Sequence, residues 1–340
     1  MLLTNMKLKE DGTAAVPAGR RIARENRKEK WKKRLLGSAE KRGWIGSTVV
    51  YLLLIVISFI FVYPVLYMIS RSLMGRSDLL DSSAMWIPSS LTFHNYESAI
   101  LTMDYWNSLL KNVYLAAVST LAQVFICSAV GYGFARYNFP GKKIWMGVLI
   151  LAFLLPGQTT ALPNYLVFQN LKMIDGTIKP FLITALLGQG FKSTLCILIF
   201  YNFHKQTPQS LIEAAEIDGA GHIKAYFRIA IPLATAAIVV VTLFSFVWYW
   251  NETYLVRNYL GYGSTRATGL TTLMLELNAF EDSYANAYST WASSVTSTDR
   301  INDAIRMAGT VLAIAPLMIF YFVLQRQFVE SVDRAGITGE

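Results

Sequence analysis

The chain has 340 residues, 54% of them hydrophobic and 16% charged, with a mean hydropathy of +0.37. Ordinary soluble domains are less apolar, and long apolar runs with few charges point instead to several membrane-spanning helices. The net charge of +9 could suggest nucleic acid, but residues 1–43 hold 13 Lys/Arg against 5 Asp/Glu, a net of +8, so the excess lies in one tail and no nucleic-acid partner is expected.

That tail, 1–43, reads as a basic cytoplasmic anchor before the first span. Residues 8–19 have little apolar content and are expected to lack stable structure. Arg20 to Arg34 can form a basic amphipathic helix on the membrane surface. Six spans follow, at about 47–70, 109–134, 144–167, 181–203, 232–252 and 307–328. Each is near the ~20 residues that cross a ~30 Å hydrocarbon layer. They define a six-helix domain over 44–330, followed by a cytoplasmic tail at 331–340. Span three is broken at Pro156-Gly157 and again at Pro163. Such breaks occur where a watery cavity satisfies the freed backbone, or where a kink packs against protein. Both readings stay open.

An even number of spans puts both termini on one side. The loop after span two carries Arg136, Lys142 and Lys143, and the loop after span four carries Lys205, Lys224 and Arg228. The opposite segments carry Asp78, Asp81, Glu97 and Asp104, and Glu276, Glu281, Asp282, Asp299 and Asp303. By the positive-inside rule the basic loops and both termini are cytoplasmic. The outer segment 253–306 is long for a simple turn, so short helices are expected around Leu270–Phe280 and Asn302–Met307. It is either a functional element or a tolerated insertion.

The cytoplasmic loop 204–232 reads as two short helices. Thr207 suits an N-cap and Pro208 the first helical position. Leu211, Ala214, Ala215 and Asp218 recur on one side, and Gly219 can take the left-handed conformation that ends a helix. A second helix is expected from Gly221 to Ala230, with Pro232 opening span five. On spacing alone this is either a docking element or an ordinary connection.

Several enzyme classes find no support. GQGFKST (Gly188 to Thr194) is not a phosphate-binding loop, because Phe191 rather than Gly precedes Lys192. No His-Glu-x-x-His run is present, and His94, His204 and His222 lie outside the apolar cores. Cys127 and Cys196 lack metal-ligand spacing and read as packed core thiols. Polar and aromatic groups in apolar runs are candidates for a pathway across the membrane for a polar substrate: Gln123, Gln158, Thr159, Asn164, Lys192, Tyr201, Trp248 and Asn251. Interfacial anchoring or helix packing is the ordinary reading of each.

Residues 213–232, EAAEIDGAGHIKAYFRIAIP, carry a more specific signal. Glu213, Ala214, Ala215, Gly219, Ile229 and Pro232 fall in register with the "EAA" loop of ABC importer permeases, with Ile231 where that pattern has Leu. WIPSSLTFHNYESAI (Trp86 to Ile100), CSAVGYGFARYNFPGKK (Cys127 to Lys143), the Pro-broken Leu154 to Gly176 stretch and Trp250 to Glu252 extend the likeness. From about Ser47 to Gly339 the chain resembles carbohydrate importer permeases of the binding-protein-dependent type, whose best-known member is the second membrane subunit of the maltose transporter. The resemblance implies an all-α, polytopic, type I permease fold in a bacterial cell membrane. It implies a second, different permease chain, two copies of an ABC ATPase and an extracytoplasmic sugar-binding protein. ATP and Mg would be held by the ATPase subunits, with no cofactor or catalysis in this chain. Glu213 would make a polar contact to the ATPase, Ala214 and Ala215 would allow close seating, and Asp218, Gly219 and Ala220 would complete the coupling turn. The alternatives are a stand-alone secondary transporter with broken midplane helices, or a membrane scaffold recruiting proteins through its basic tail.

Overall fold

The computed structural model describes residues 43–81, 86–260, 270–291 and 303–337. The tail 1–42, with the expected surface helix at Arg20 to Arg34, lies outside the described residues, as do 82–85, 261–269, 292–302 and 338–340. Among the described residues every regular element is helical. The chain divides into two units, Met1–Tyr67 and Met68–Glu340. The described part of the first is the body of α1 (Trp44–Ser72). This helix is apolar on all sides, as a membrane span must be. Phe59, Tyr63 and Tyr67 follow one another at four-residue steps with ring centroids 5.8 and 6.3 Å apart.

In the second unit α2 (Arg76–Leu80) and α3 (His94–Thr102) precede α4 (Tyr105–Arg136). The Asn95 amide donates to the carbonyls of Ser72 and Met74, both at 2.9 Å, and the Tyr96 hydroxyl pairs with Ser72 Oγ at 2.6 Å. These two side chains tie the chain after the first span to the end of α1.

α4 is the mast of the unit. Ser108, Asn112, Ala116, Ser119, Thr120, Gln123, Cys127 and Gly131 recur at helical spacing along its buried side. Small side chains on one stripe let neighbouring backbones approach where lipid supplies no hydrophobic drive between helices. α7 (Lys179–Leu186), α8 (Ser193–Gln206) and α11 (Thr235–Asn251) all pack on it. A Cβ added at Gly131 would lie 2.6 Å from Phe200 Cβ and 2.9 Å from the Tyr201 nitrogen. The crossing of α4 with α8 therefore requires glycine.

Among the described residues three helices are long and apolar enough to cross a membrane alone: α1, α4 and α15 (Asp303–Ile337). α5 (Lys142–Leu154) with α6 (Gly157–Asn170), bent by 100°, and α10 (His222–Leu233) with α11, bent by 77°, raise the number to five. The expected break at Pro156 is the α5–α6 bend. The expected second break is absent, because Pro163 sits inside α6.

The fourth expected span is not one helix. α7 stops at Leu186, where Gly188 takes φ +69° and Gln189 N–H donates to Thr184 O at 2.8 Å. This is the six-to-one bond of a Schellman terminus. Lys192, at φ +51°, then starts α8. Span five also differs. α10 runs through Pro232 by way of a π-turn at Tyr226–Ala230, and the bend falls at Ala234. At the other end α15 continues to Ile337, so the expected tail at 331 prolongs the helix.

The described parts of the 253–306 segment form α12 (Tyr254–Leu260), α13 (Leu273–Asn278) and α14 (Phe280–Trp291). The Asn302–Met307 stretch gives no separate helix, since α15 begins at Asp303. Leu273, Phe280 and Tyr284 join Phe168, Phe181 and Trp250 in the main core. Glu276 is buried and accepts from Thr271 Oγ1 (2.9 Å) and Ser283 Oγ (3.3 Å), while Thr272 caps α13. In the exposed loop between α6 and α7, the Lys179 ammonium and the Thr177 hydroxyl hold the Asp175 carboxyl down to about 2.

The close crossing yields a direct test. Gly131→Val should destabilise the chain by about 1–3 kcal/mol through overpacking and lower its thermal midpoint in detergent. Gly133→Val, with nothing within 4 Å of an added Cβ, should lower it much less. Equal midpoints for the two variants would rule out the crossing as the cause.

Candidate coupling loop and membrane cavity

Two places gather the residues that the sequence singles out. The first is the loop around α9 (Gln209–Ile217) and α10. Thr207 does not cap α9. Its hydroxyl bonds back to Phe203 O at 3.3 Å, extending the end of α8 instead. The other end of α9 follows the sequence. Gly219 takes φ +81°, and Ala220 N–H donates to Ala215 O at 2.9 Å, a Schellman terminus.

α9 is seated by Ile212, buried against Tyr132, Ala225, Tyr226 and Ala230. Its opposite side is bare. Leu211, Glu213, Ala214, Asp218 and Gly219 are exposed, whereas Ala215 and Ala220 are half-buried. Glu213 accepts from Gln209 Nε2 at 2.9 Å. Ile217 (86% exposed), Ile223 (75%) and Phe227 (51%) are further exposed apolar side chains of this loop, and Phe227 stacks on Phe125 of α4 at 6.4 Å. A shallow groove lies beside them, lined by Gly221 to Lys224, Phe227 and Arg228. The sequence reading missed these positions, although isolated large apolar residues in a polar loop were the available signal.

The last turns of α4 hold this loop in place. The Tyr132 ring lies 5.0 Å from Tyr226, 5.2 Å from His204 and 5.9 Å from Tyr137. The Tyr226 hydroxyl donates to Ser128 Oγ at 3.0 Å, and Arg136 Nη2 donates to Thr207 O at 2.6 Å. The Gly131-Tyr132 and Arg136 positions of the GYGFAR stretch thus have separate tasks. Glycine sets the crossing, tyrosine fills the space under the loop, and arginine ties its entry.

The second place is a cavity of about 240 Å³ where α5 breaks into α6 and α7 breaks from α8. Of the pathway candidates, Asn164 and Lys192 line it. Thr160, Thr184, Gln189 and Ser193, which the sequence reading did not single out, line it too.

The remaining candidates sit elsewhere. Gln158 is exposed at the start of α6, and Thr159 bonds its own helix at Pro156 O (2.7 Å). Tyr201 lies under Lys205 Nζ, 5.7 Å from its ring centroid. Trp248 stacks on Phe244 at 5.8 Å, and Asn251 donates to Val247 O at 2.9 Å. Gln123 is a fully bonded buried junction. It donates to Phe191 O (2.8 Å) and Ser245 Oγ (3.1 Å), and accepts from the Tyr249 hydroxyl (2.7 Å). Cys127 and Cys196 are buried, and no His/Cys/Asp/Glu group among the described residues could hold a metal ion.

Residues 127–334 match the family described as the binding-protein-dependent transport system inner membrane component. The chain belongs to this family. It is a permease subunit of an ABC importer, a multi-pass protein of the bacterial cell membrane, and the stand-alone carrier reading is set aside.

An osmoprotective compounds uptake permease of Synechocystis is 27% identical over 290 residues, covering 83% of this chain and 89% of its own. A diacetylchitobiose uptake permease of Streptomyces coelicolor is 26% identical over 289 residues, covering 85% and 88%. A trehalose transport permease of Mycobacterium tuberculosis is 25% identical over 281 residues, covering 81% and 92%. Among solved structures, a bacterial ABC transporter that imports the acidic polysaccharide alginate superposes with a TM-score of 0.66 at 19% identity, over 84% of this chain and 96% of that one. It shares the type I permease fold.

Removing the ring beneath the loop should loosen it. Tyr132→Ala is expected to cost about 3 kcal/mol of local packing. Limited trypsin digestion should then cut at the exposed Lys205 and Lys224 faster than in the wild type. An unchanged cleavage rate at both lysines would show that Tyr132 does not hold the loop.

Proposed function

We propose that this permease moves a carbohydrate, an oligosaccharide delivered by an extracytoplasmic binding protein, and that it pairs with a different permease chain and two copies of an ATPase. The carbohydrate is supported by what the relatives are named for, diacetylchitobiose and trehalose among them. The single observation that carries the coupling role is α9. It is a short helix with a buried anchor, Ile212, a bare face of Leu211, Ala214 and Asp218, and a glycine-set end at Gly219.

In this reading the loop 204–232 faces the cytoplasm, as its basic residues favour. α9 sits in a cleft of one ATPase subunit. Glu213 makes the polar contact, Ala214 and Ala215 let the cleft wall approach, and Asp218 to Ala220 form the turn. ATP and Mg, bound by the ATPase pair, close that pair and pull α9. The displacement passes through Ile212 and the Tyr132–Tyr226 contact into α4. The spans then alternate between inward and outward openings, and this chain performs no hydrolysis.

Purification of the tagged full chain from its native membrane in mild detergent tests the reading. A second permease and a nucleotide-binding subunit should co-elute with ATPase activity. Gly219→Pro and Ala215→Trp should abolish uptake while the protein remains inserted. Wild-type uptake by either well-inserted variant would remove α9 as the coupling element.

A further inference from the structure

We propose that the groove along α10 seats an anionic phospholipid, with its phosphate held by Lys224 and Arg228 and its acyl chains lying on Ile223, Phe227 and the adjoining face of α4. The proposal needs only that α11 crosses the membrane, and it stands apart from how the loop meets an ATPase.

The direction of α10 is the first observation. It meets α11 at 77°, so with α11 across the bilayer it runs nearly along the membrane surface. A helix in that position is stable with apolar side chains turned to the acyl boundary and basic ones beside the headgroups. α10 has this division. Ala225, Tyr226 and Ala230 are buried against Tyr132 and Ile212. Ile223 and Phe227 are exposed at a four-residue step, and Lys224 and Arg228 are exposed at the same step one position on. All four line one groove, which no carboxylate lines, and neither cation has an ion-pair partner among the described residues.

The second observation ties this groove to the membrane span beside it. The Phe227 ring stacks on Phe125 of α4 at 6.4 Å. Phe125 lies eleven residues before Arg136, the end of α4, which is about 16 Å along the axis at ~1.5 Å per residue. Leu121, one turn further from that end, is exposed as well. Leu121, Phe125, Phe227 and Ile223 thus lead from the body of a membrane span to two cations. A soluble protein surface does not reach that depth. A phospholipid brings a fatty chain for the apolar strip and a phosphate for the cations. Arginine can hold a phosphate through two N–H groups at once, and lysine adds a charge on a flexible stem.

The test uses the full chain purified with its co-eluting subunits and reconstituted in phosphatidylcholine vesicles. The probes are phosphatidylglycerol and phosphatidylcholine carrying the same photoreactive diazirine on an acyl chain, at sub-saturating amounts, and adducts are mapped by peptide mass spectrometry. The phosphatidylglycerol probe should label residues 223–228 in preference to the phosphatidylcholine probe, and unlabelled phosphatidylglycerol should displace it. Each basic residue beside an anionic lipid is worth about a fivefold gain in binding. Lys224→Gln combined with Arg228→Gln should therefore lower that labelling about 20-fold. Lys224→Arg combined with Arg228→Lys, which keeps both charges, should retain most of it. Labelling of Leu121 and Phe125 checks that α4 stays embedded in each variant. Should the charge-loss variant fail to assemble, the competition on the wild type decides alone. Equal labelling by the two probes, or labelling that survives the loss of both charges, overturns the proposal. So does labelling of Leu121 with none at 223–228, which would show that a protein chain covers the groove.

Discussion

At Gly131 the backbones of α4 and α8 cross so closely that no side chain fits between them. In lipid such an approach replaces the hydrophobic drive with close packing and helix-to-helix hydrogen bonding. The rest of the second unit is organised by that contact. Just beyond it, Tyr132 and Arg136 reach the loop that carries α9. Two turns before it, Gln123 reaches the loop that starts α8 and the Tyr249 hydroxyl on α11. A wider crossing would leave Gln123 with unpaired amide groups in an apolar interior, each costing about 1–3 kcal/mol. The crossing and the buried junction therefore stabilise each other.

The local features of the site were legible because their causes are local. Gly219 ends α9 as its sequence position indicates, and the left-handed turn needs only the neighbours Ala215 and Ala220. The task of Tyr132 was not legible, because its partners come from distant parts of the chain. The Ser128–Tyr226 and Arg136–Thr207 contacts join residues 98 and 71 positions apart. Polar residues in apolar runs pose the same problem. Gln123, Lys192 and Asn251 look alike as sequence. One is a saturated junction, one lines a cavity, and one bonds its own helix. Only tertiary structure decides whether a polar group in a membrane helix has a partner.

The broken fourth span shows a different limit. Averaged over ~20 residues, 181–203 is apolar enough to read as one crossing. Gly188 and Gly190 were visible, yet hydropathy takes little account of two glycines. Backbone geometry gives them weight, since Gly188 takes φ +69° in a Schellman terminus and the segment to Lys192 becomes a loop. Pro163 errs in the opposite sense. A proline within a helix frees one carbonyl, and here α6 continues through it.

That break also fixes the length of α8, and with it what the helix joins. α8 has 14 residues and so spans about 21 Å at ~1.5 Å per residue. Ser193 at its first turn lines the cavity, while His204 and the adjoining Thr207 at its far end meet the Tyr132 ring and Arg136 beneath the loop that carries α9. One short helix therefore joins the cavity to the loop that carries α9. Stopping the helix at Lys192 leaves α8 anchored at the Gly131 crossing, with its first turn at the cavity that Asn164 of α6 also lines. At that crossing contact is made by backbone against Phe200 and Tyr201 with no side chain between them, so the spacing of the two helices is set by the glycine.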